Sequence, residues 1–220
     1  LTTAYLYLDG VQIGSDTSPA TSRWNNSSVL TIGAENKPSD NTKGRFHDGL
    51  IDEVKIDNVA RTSDEIAEAY RLGRDHRFHN SLTSAIDLSD KSLVPVSIAS
   101  DQPGTHLEVT FGESEFANNV PDANTLGLWH LEEQTGSGAY IKDSSSYAQH
   151  GTPTGTTFIQ GKIGQGRSFN GSSDYVNIPD DANNSFGNGT TDTAFSVSAW
   201  IYRNGNNNDP IISKDTGASV

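Results

Sequence analysis

The chain has 220 residues, enough for one large β-sandwich or parts of two, and its 33% hydrophobic content and 21 glycines describe a loop-rich all-β protein with thin cores. A net charge of −13 argues against nucleic acid and anionic lipid as partners and favours cations such as Ca2+. The absence of cysteine excludes a disulfide framework and thiolate metal sites, and no apolar run approaches the ~20 residues of a membrane span.

The first element is a hairpin. Ala4 to Leu8 and Val11 to Ile13 are strand-like runs joined by Asp9-Gly10, two residues that tolerate the positive φ of a tight type I′ turn. Val29 to Ile32 and Leu50 to Ile56 read as further strands. Thr62-Ser63-Asp64-Glu65 forms a capping box, and Ile66, Ala69 and Tyr70 follow at helical spacing before Gly73. One short helix is expected there, closing a domain. Residues 76–125 differ in character. Val94, Val96 and Ile98 alternate, as do Leu107, Val109 and Phe111, with the turn Asp101-Gln102-Pro103-Gly104 between them. A β-ribbon linker docked on a neighbouring module is expected. Leu126 to Leu131 opens a new run of short strands, with Gly151 to Thr156 as a small-residue turn region. Arg167 to Asn170, Tyr175 to Ile178, Phe195 to Tyr202 and Ile211-Ile212 follow, divided by Gly, Asn and Asp turns.

Both ends resemble the laminin-G-like, concanavalin-A-like superfamily in its bacterial and archaeal surface-protein branch. At the start, the residues that carry the likeness are Ala4 to Val11, Leu30 to Ala34, Gly49 to Ile56, Ala60-Arg61 and the helix around Glu65-Ile66. In that family these close a domain. At the end they are Gly127 to Glu133, Asp143 to Ser145, His150 to Thr152, Gly166 to Gly171 and Phe195 to Ile201. These open one. The resemblance implies an all-β jelly-roll sandwich of two antiparallel sheets, with the halves in reverse order. Residues 1–75 then form the closing half of one module, 76–125 the ribbon linker, and 126–220 the opening half of the next. The middle strands are absent from both, so neither half can close a sandwich by itself. The chain also opens inside a strand-like run, as expected of a piece of a tandem protein. Isolated, it is expected to be unstable or to aggregate unless covalent continuation or a neighbouring copy completes it.

Among ionisable residues Asp52 stands out. Strict alternation places it with Leu50, Val54 and Ile56 on an apolar face, with Glu53 and Lys55 toward solvent. A carboxylate on an apolar face must be paired or bound to metal. By the family resemblance Asp52 is a Ca2+ ligand and Gly171 a carbonyl donor. The alternative is an Asp bonded to backbone N–H groups or to an arginine. Asp143 reads as a polar turn residue, as do Asp180 and Asp181. Gly161 to Ser168 nearly fits a phosphate loop, but Arg167 replaces the required lysine and no helix follows. His76 and His79 lack supporting ligands, and His47, His106, His130 and His150 are isolated in sequence. No pair of carboxylates has the close same-face spacing of a retaining glycanase in a cleft position, so no catalysis is expected. Trp200 and Tyr202 share a strand face and are candidates for stacking on a sugar ring, with Trp24 as a loop contact.

The sequence therefore points to a non-enzymatic structural or adhesive segment of an extracellular, tandem-repeat surface protein or filament, whose partners are neighbouring modules or other copies of itself. A carbohydrate-binding module of a larger glycan-processing protein, recognising surface glycans, is the competing reading.

Overall fold

Asp9 and Gly10 both take positive φ (51° and 75°), and this turn joins β1 (Ala4–Leu8) to β2 (Val11–Asp16) in a two-stranded antiparallel sheet. The computed structural model describes residues 3–17, 28–36, 42–75, 120–187, 192–205 and 209–214. The remaining described elements are β3 (Leu30–Ile32), β4 (Ala34–Asn36), β5 (Lys43–Phe46), β6 (Asp48–Asp57), α1 (Ser63–Asp75), β7 (Thr125–Trp129), β8 (Thr152–Thr154), β9 (Thr157–Gln160), β10 (Gln165–Asn170), β11 (Tyr175–Ile178), β12 (Ser196–Arg203) and β13 (Ile212–Ser213). A short 3-10 turn spans Ala182–Asn184. The expected ribbon at Val94 to Ile98 and Leu107 to Phe111 lies outside the described residues. So does Trp24.

These strands build a jelly-roll β-sandwich. One sheet has five strands, ordered β12-β6-β10-β9 with β7 also on β6. The other has four, ordered β13-β3-β11-β8. The small β4–β5 pair completes the described sheets. All pairings are antiparallel. Gly151 to Thr156, expected as a turn, contains the strand β8 along the edge of β11.

The organising strand is β6. β12 runs along one edge of it. The opposite edge is divided between β10, opposite Asp48 to Ile51, and β7, opposite Val54 to Asp57. In the other sheet β3 lies between β11 and β13. Strands from residues 3–75 and from residues 120–214 therefore interleave in both sheets of a single chain. The reading of the sequence as a closing half followed by an opening half does not anticipate that pairing. Its physical basis is a shared interior. Leu30, Ile32, Ile51, Val54 and Ile56 from the first segment pack with Leu126, Trp129, Leu131, Ile141, Phe169, Val176 and Ile178 from the second.

The helix forms where the capping box placed it. The Glu65 amide donates to Thr62 Oγ1 (3.2 Å), and the Thr62 amide donates to Glu65 Oε2 (2.7 Å). It lies on the outside of the five-stranded sheet, where Gly73 abuts the Trp200 ring: a Cβ there would lie 2.4 Å from it. Gly33 is required for a related reason. It has φ +80° between β3 and β4, and a Cβ would lie 2.3 Å from the Phe169 ring.

Candidate functional site

The chemistry-bearing residues gather where β6 meets the second segment. Glu53 has φ +53°, and the register of β6 against β12 slips between Ser198 and Trp200. One extra residue in β6 makes a bulge, which switches the phase of the strand. Ile51, Val54 and Ile56 all reach the core, a spacing that strict alternation does not permit. Asp52 is thus not on the face of Val54 and Ile56, and Glu53 is not solvent-facing. Both carboxylates are buried.

Asp52 is 3% exposed. Its Oδ2 accepts the backbone N–H groups of Lys162 (2.7 Å) and Ile163 (2.9 Å). Its Oδ1 is buried without a hydrogen-bond partner. Burial raises the pKa to about 8, with Glu53 and Glu132 adding to the effect and the two amides opposing it. At neutral pH the carboxyl is largely protonated. The glycine-rich loop that nearly fits a phosphate motif uses its amides on this side chain. A Cβ at Gly161 would lie 2.5 Å from Asp52 Oδ2.

Gly171 is elsewhere. Its amide donates to the His47 carbonyl (2.9 Å), and a Cβ on it would meet Asp48 at 2.8 Å. Since Arg167 is opposite Ile51 and Asn170 opposite Asp48, Asp52 and Gly171 lie at opposite ends of the β6–β10 pairing. Four to five strand residues at about 3.3 Å each separate them, far more than one coordination sphere spans. The chain does bring both segments together, as a shared Ca2+ site needs, but in a register that keeps this pair apart. No group of three His, Asp or Glu side chains suited to a metal occurs among the described residues. Asp52 Oδ1 is left as a buried oxygen without a protein partner, and Gly171 is too far away to share an ion with it.

Glu53 is paired across the two segments. His130 Nδ1 lies 2.8 and 3.0 Å from its carboxylate oxygens. Burial pushes the Glu53 pKa up against the pull of His130. Burial alone would lower the His130 pKa, but Glu53, Glu132 and Glu133 raise it above the ordinary value. Both partners shift upward because desolvation outweighs the ion pair on the more deeply buried carboxylate.

Trp200 and Tyr202 do not form an open platform. Trp200 stacks on Tyr70 of α1 (5.5 Å between centroids), with Lys162 Nζ 5.2 Å from its ring. The helix covers the surface a sugar would need. Tyr202 is 63% exposed.

Four buried residues were not legible in the sequence as anything special. Asp143 accepts the amides of Leu128 (2.9 Å), Ser145 (2.8 Å) and Gln149 (2.9 Å) and the Ser145 hydroxyl (2.7 Å), so it organises the turn after β7. The Asp-Ser-Ser turn signal was its only mark. Arg167 is 1% exposed and donates to the Glu133 and Thr156 carbonyls, with its guanidinium 5.4 Å from the Tyr140 ring centroid. His47 is fully buried in an edge-on contact with Phe169, and neither ring nitrogen has a hydrogen bond. Burial lowers its pKa despite Asp209. Glu53 is the fourth.

A family model of the concanavalin A-like lectin/glucanases superfamily, in its laminin-G form, matches residues 1–67. That segment is similar to the lectin/glucanase superfamily. It supplies β1 to β6 and the start of α1, and hence the central strand of the larger sheet. No curated protein and no solved structure matches the chain. The likeness of this segment to the lectin/glucanase superfamily supports a carbohydrate-binding or adhesive module in general. No described helix is long and apolar enough to cross a membrane.

Proposed function

We propose that the chain is a non-enzymatic structural and adhesive segment of an extracellular, tandem-repeat surface protein. The observation that carries this reading is the interleaving around β6, whose edges take strands from the far end of the chain. One sandwich built from both ends of the chain is a self-contained module, a unit that a surface protein can repeat in tandem. The absence of a reaction is part of the proposal. It is supported by how the two buried carboxylates of β6 are used. Asp52 holds the loop at Lys162 and Ile163, and Glu53 holds His130, so neither is offered to a substrate with a partner at hydrolytic spacing. Calcium enters at Asp52 alone. Titrating Ca2+ into metal-stripped protein should raise its melting temperature, and Asp52→Asn should abolish the rise. An unchanged melting curve would mean that a proton, not a cation, satisfies Asp52.

The superfamily match favours a second reading, a glycan-binding module. A glycan array separates the two. The structural reading expects no specific signal, whereas a sugar-selective signal lost in Tyr202→Ala would establish the second. Antibody labelling of unpermeabilised source cells tests the surface location, and labelling only after permeabilisation would overturn it.

A further inference from the structure

We propose that copies of this chain join head to tail, the β1–β2 hairpin of one copy adding its strands to the outer edge of β12 in the next. This rests on the structural reading above and names its partner, a second copy. Two features of the same chain are each incomplete and complement one another. The first is the hairpin. It is a two-stranded sheet paired to no other described strand, and Tyr5, Leu6, Leu8, Val11 and Ile13 are all more than half exposed. A lone hairpin with apolar side chains in water is only marginally stable. The second is β12. It ends the five-stranded sheet, so its outer edge is unpaired among the described residues. Its apolar residues are also poorly covered, with Val197 41% and Ile201 38% exposed.

Charge selects these surfaces for contact between copies. The chain carries −13, so two copies repel over most of their area. The hairpin holds only Asp9 in its turn and Asp16 at its end, and the sole charge in β12 is Arg203. Neither has the lysine or proline that usually guards an open edge. The lengths are also compatible, five and six residues against eight. Strand addition supplies backbone hydrogen bonds and covers alternate apolar side chains. Donor and acceptor are different surfaces, so each joined copy still offers one of each, and the contact propagates unless it closes into a ring.

The test uses the absence of native cysteine. Val11→Cys and Tyr202→Cys chains, one of them isotope-labelled, are mixed and oxidised. The mixed disulfide dimer should exceed either homodimer several-fold. Sedimentation velocity of the unaltered chain should show species above 23.6 kDa that grow with protein concentration and with salt. Leu6→Lys combined with Ile13→Lys changes only exposed positions. It should return the chain to a monomer with an unaltered circular dichroism spectrum. A single 23.6 kDa species at all concentrations, equal yields of homo- and mixed disulfides, or assemblies that persist in the lysine variant would overturn the proposal. The glycan array and surface labelling judge the structural reading separately, so failure of one is distinguishable from failure of the other.

Discussion

At Asp52 the chain keeps a carboxyl group in a place suited to its neutral form. The pKa, raised from 3.8 to about 8 by burial, means that the folded state holds a proton which the unfolded state releases. Its contribution to stability is therefore full below pH 3.8 and is lost as pH rises through about 8. Asn keeps the shape and carries no charge. Asp52→Asn should stabilise metal-free protein by about 1–3 kcal/mol at pH 8 and by less at pH 5, the scale of one buried unsatisfied polar group. Denaturant midpoints at the two pH values would show it, and an equal effect at both would exclude a titrating Asp52. His130 is the companion case. Its pKa lies above 6.5, so its bond to Glu53 contributes fully below pH 6.5 and weakens as pH rises through the folded value. Measured by NMR in an Asp52→Asn background, the His130 midpoint should fall toward 6.5 in Glu53→Gln. No movement would show that Glu53 does not set it.

At the scale of elements, the bulge in β6 and the seat of α1 decide which side chains are available. The bulge explains why a strand read as strictly alternating instead buries Ile51, Val54 and Ile56, with two carboxylates between them. Helix α1 explains why an aromatic pair on one strand face is not an open platform. The contact that seats the helix is Gly73 on Trp200. Gly73→Ala should displace α1 and cost about 1–3 kcal/mol, the usual penalty for forcing a methyl group into a filled contact. Trp200 would gain water, so its fluorescence should shift to the red. A stable variant with unchanged emission would mean that the helix is not held there.

For the whole molecule, the interleaved sheets make a demand that no local feature makes. If one interior is shared, residues 1–75 and 120–220 produced as separate chains should find each other. Mixed, they should elute as one complex and acquire a cooperative melting transition that neither shows alone. Separate elution would mean that the connection between them is essential. The interleaving also shows where reading the sequence stopped short. Turn chemistry and the hydrophobic period established the β1–β2 hairpin, the capped helix, the strands near Ile51, Phe169, Val176 and Trp200, and the all-β class, and the resemblance of short motifs added the lectin-like kinship. These signals are local, each written in a few consecutive residues. Strand partners are not. Nothing in Arg167 to Asn170 says that Asp48 to Ile51 lies beside it, because backbone hydrogen bonds carry no residue label. Register follows from which apolar faces fill one interior. For the same reason the sequence singled out Asp52 and Gly171 as partners at one Ca2+ ion but could not tell that the β6–β10 register sets them at opposite ends of the pairing. The burial of His47 and Arg167 and the meeting of Glu53 with His130 were decided only by the tertiary structure. His47 meets Phe169, Glu53 meets His130 and Arg167 lies opposite Ile51 only because packing brings distant segments together, and a polar side chain looks the same in sequence whether water or a closed sheet surrounds it.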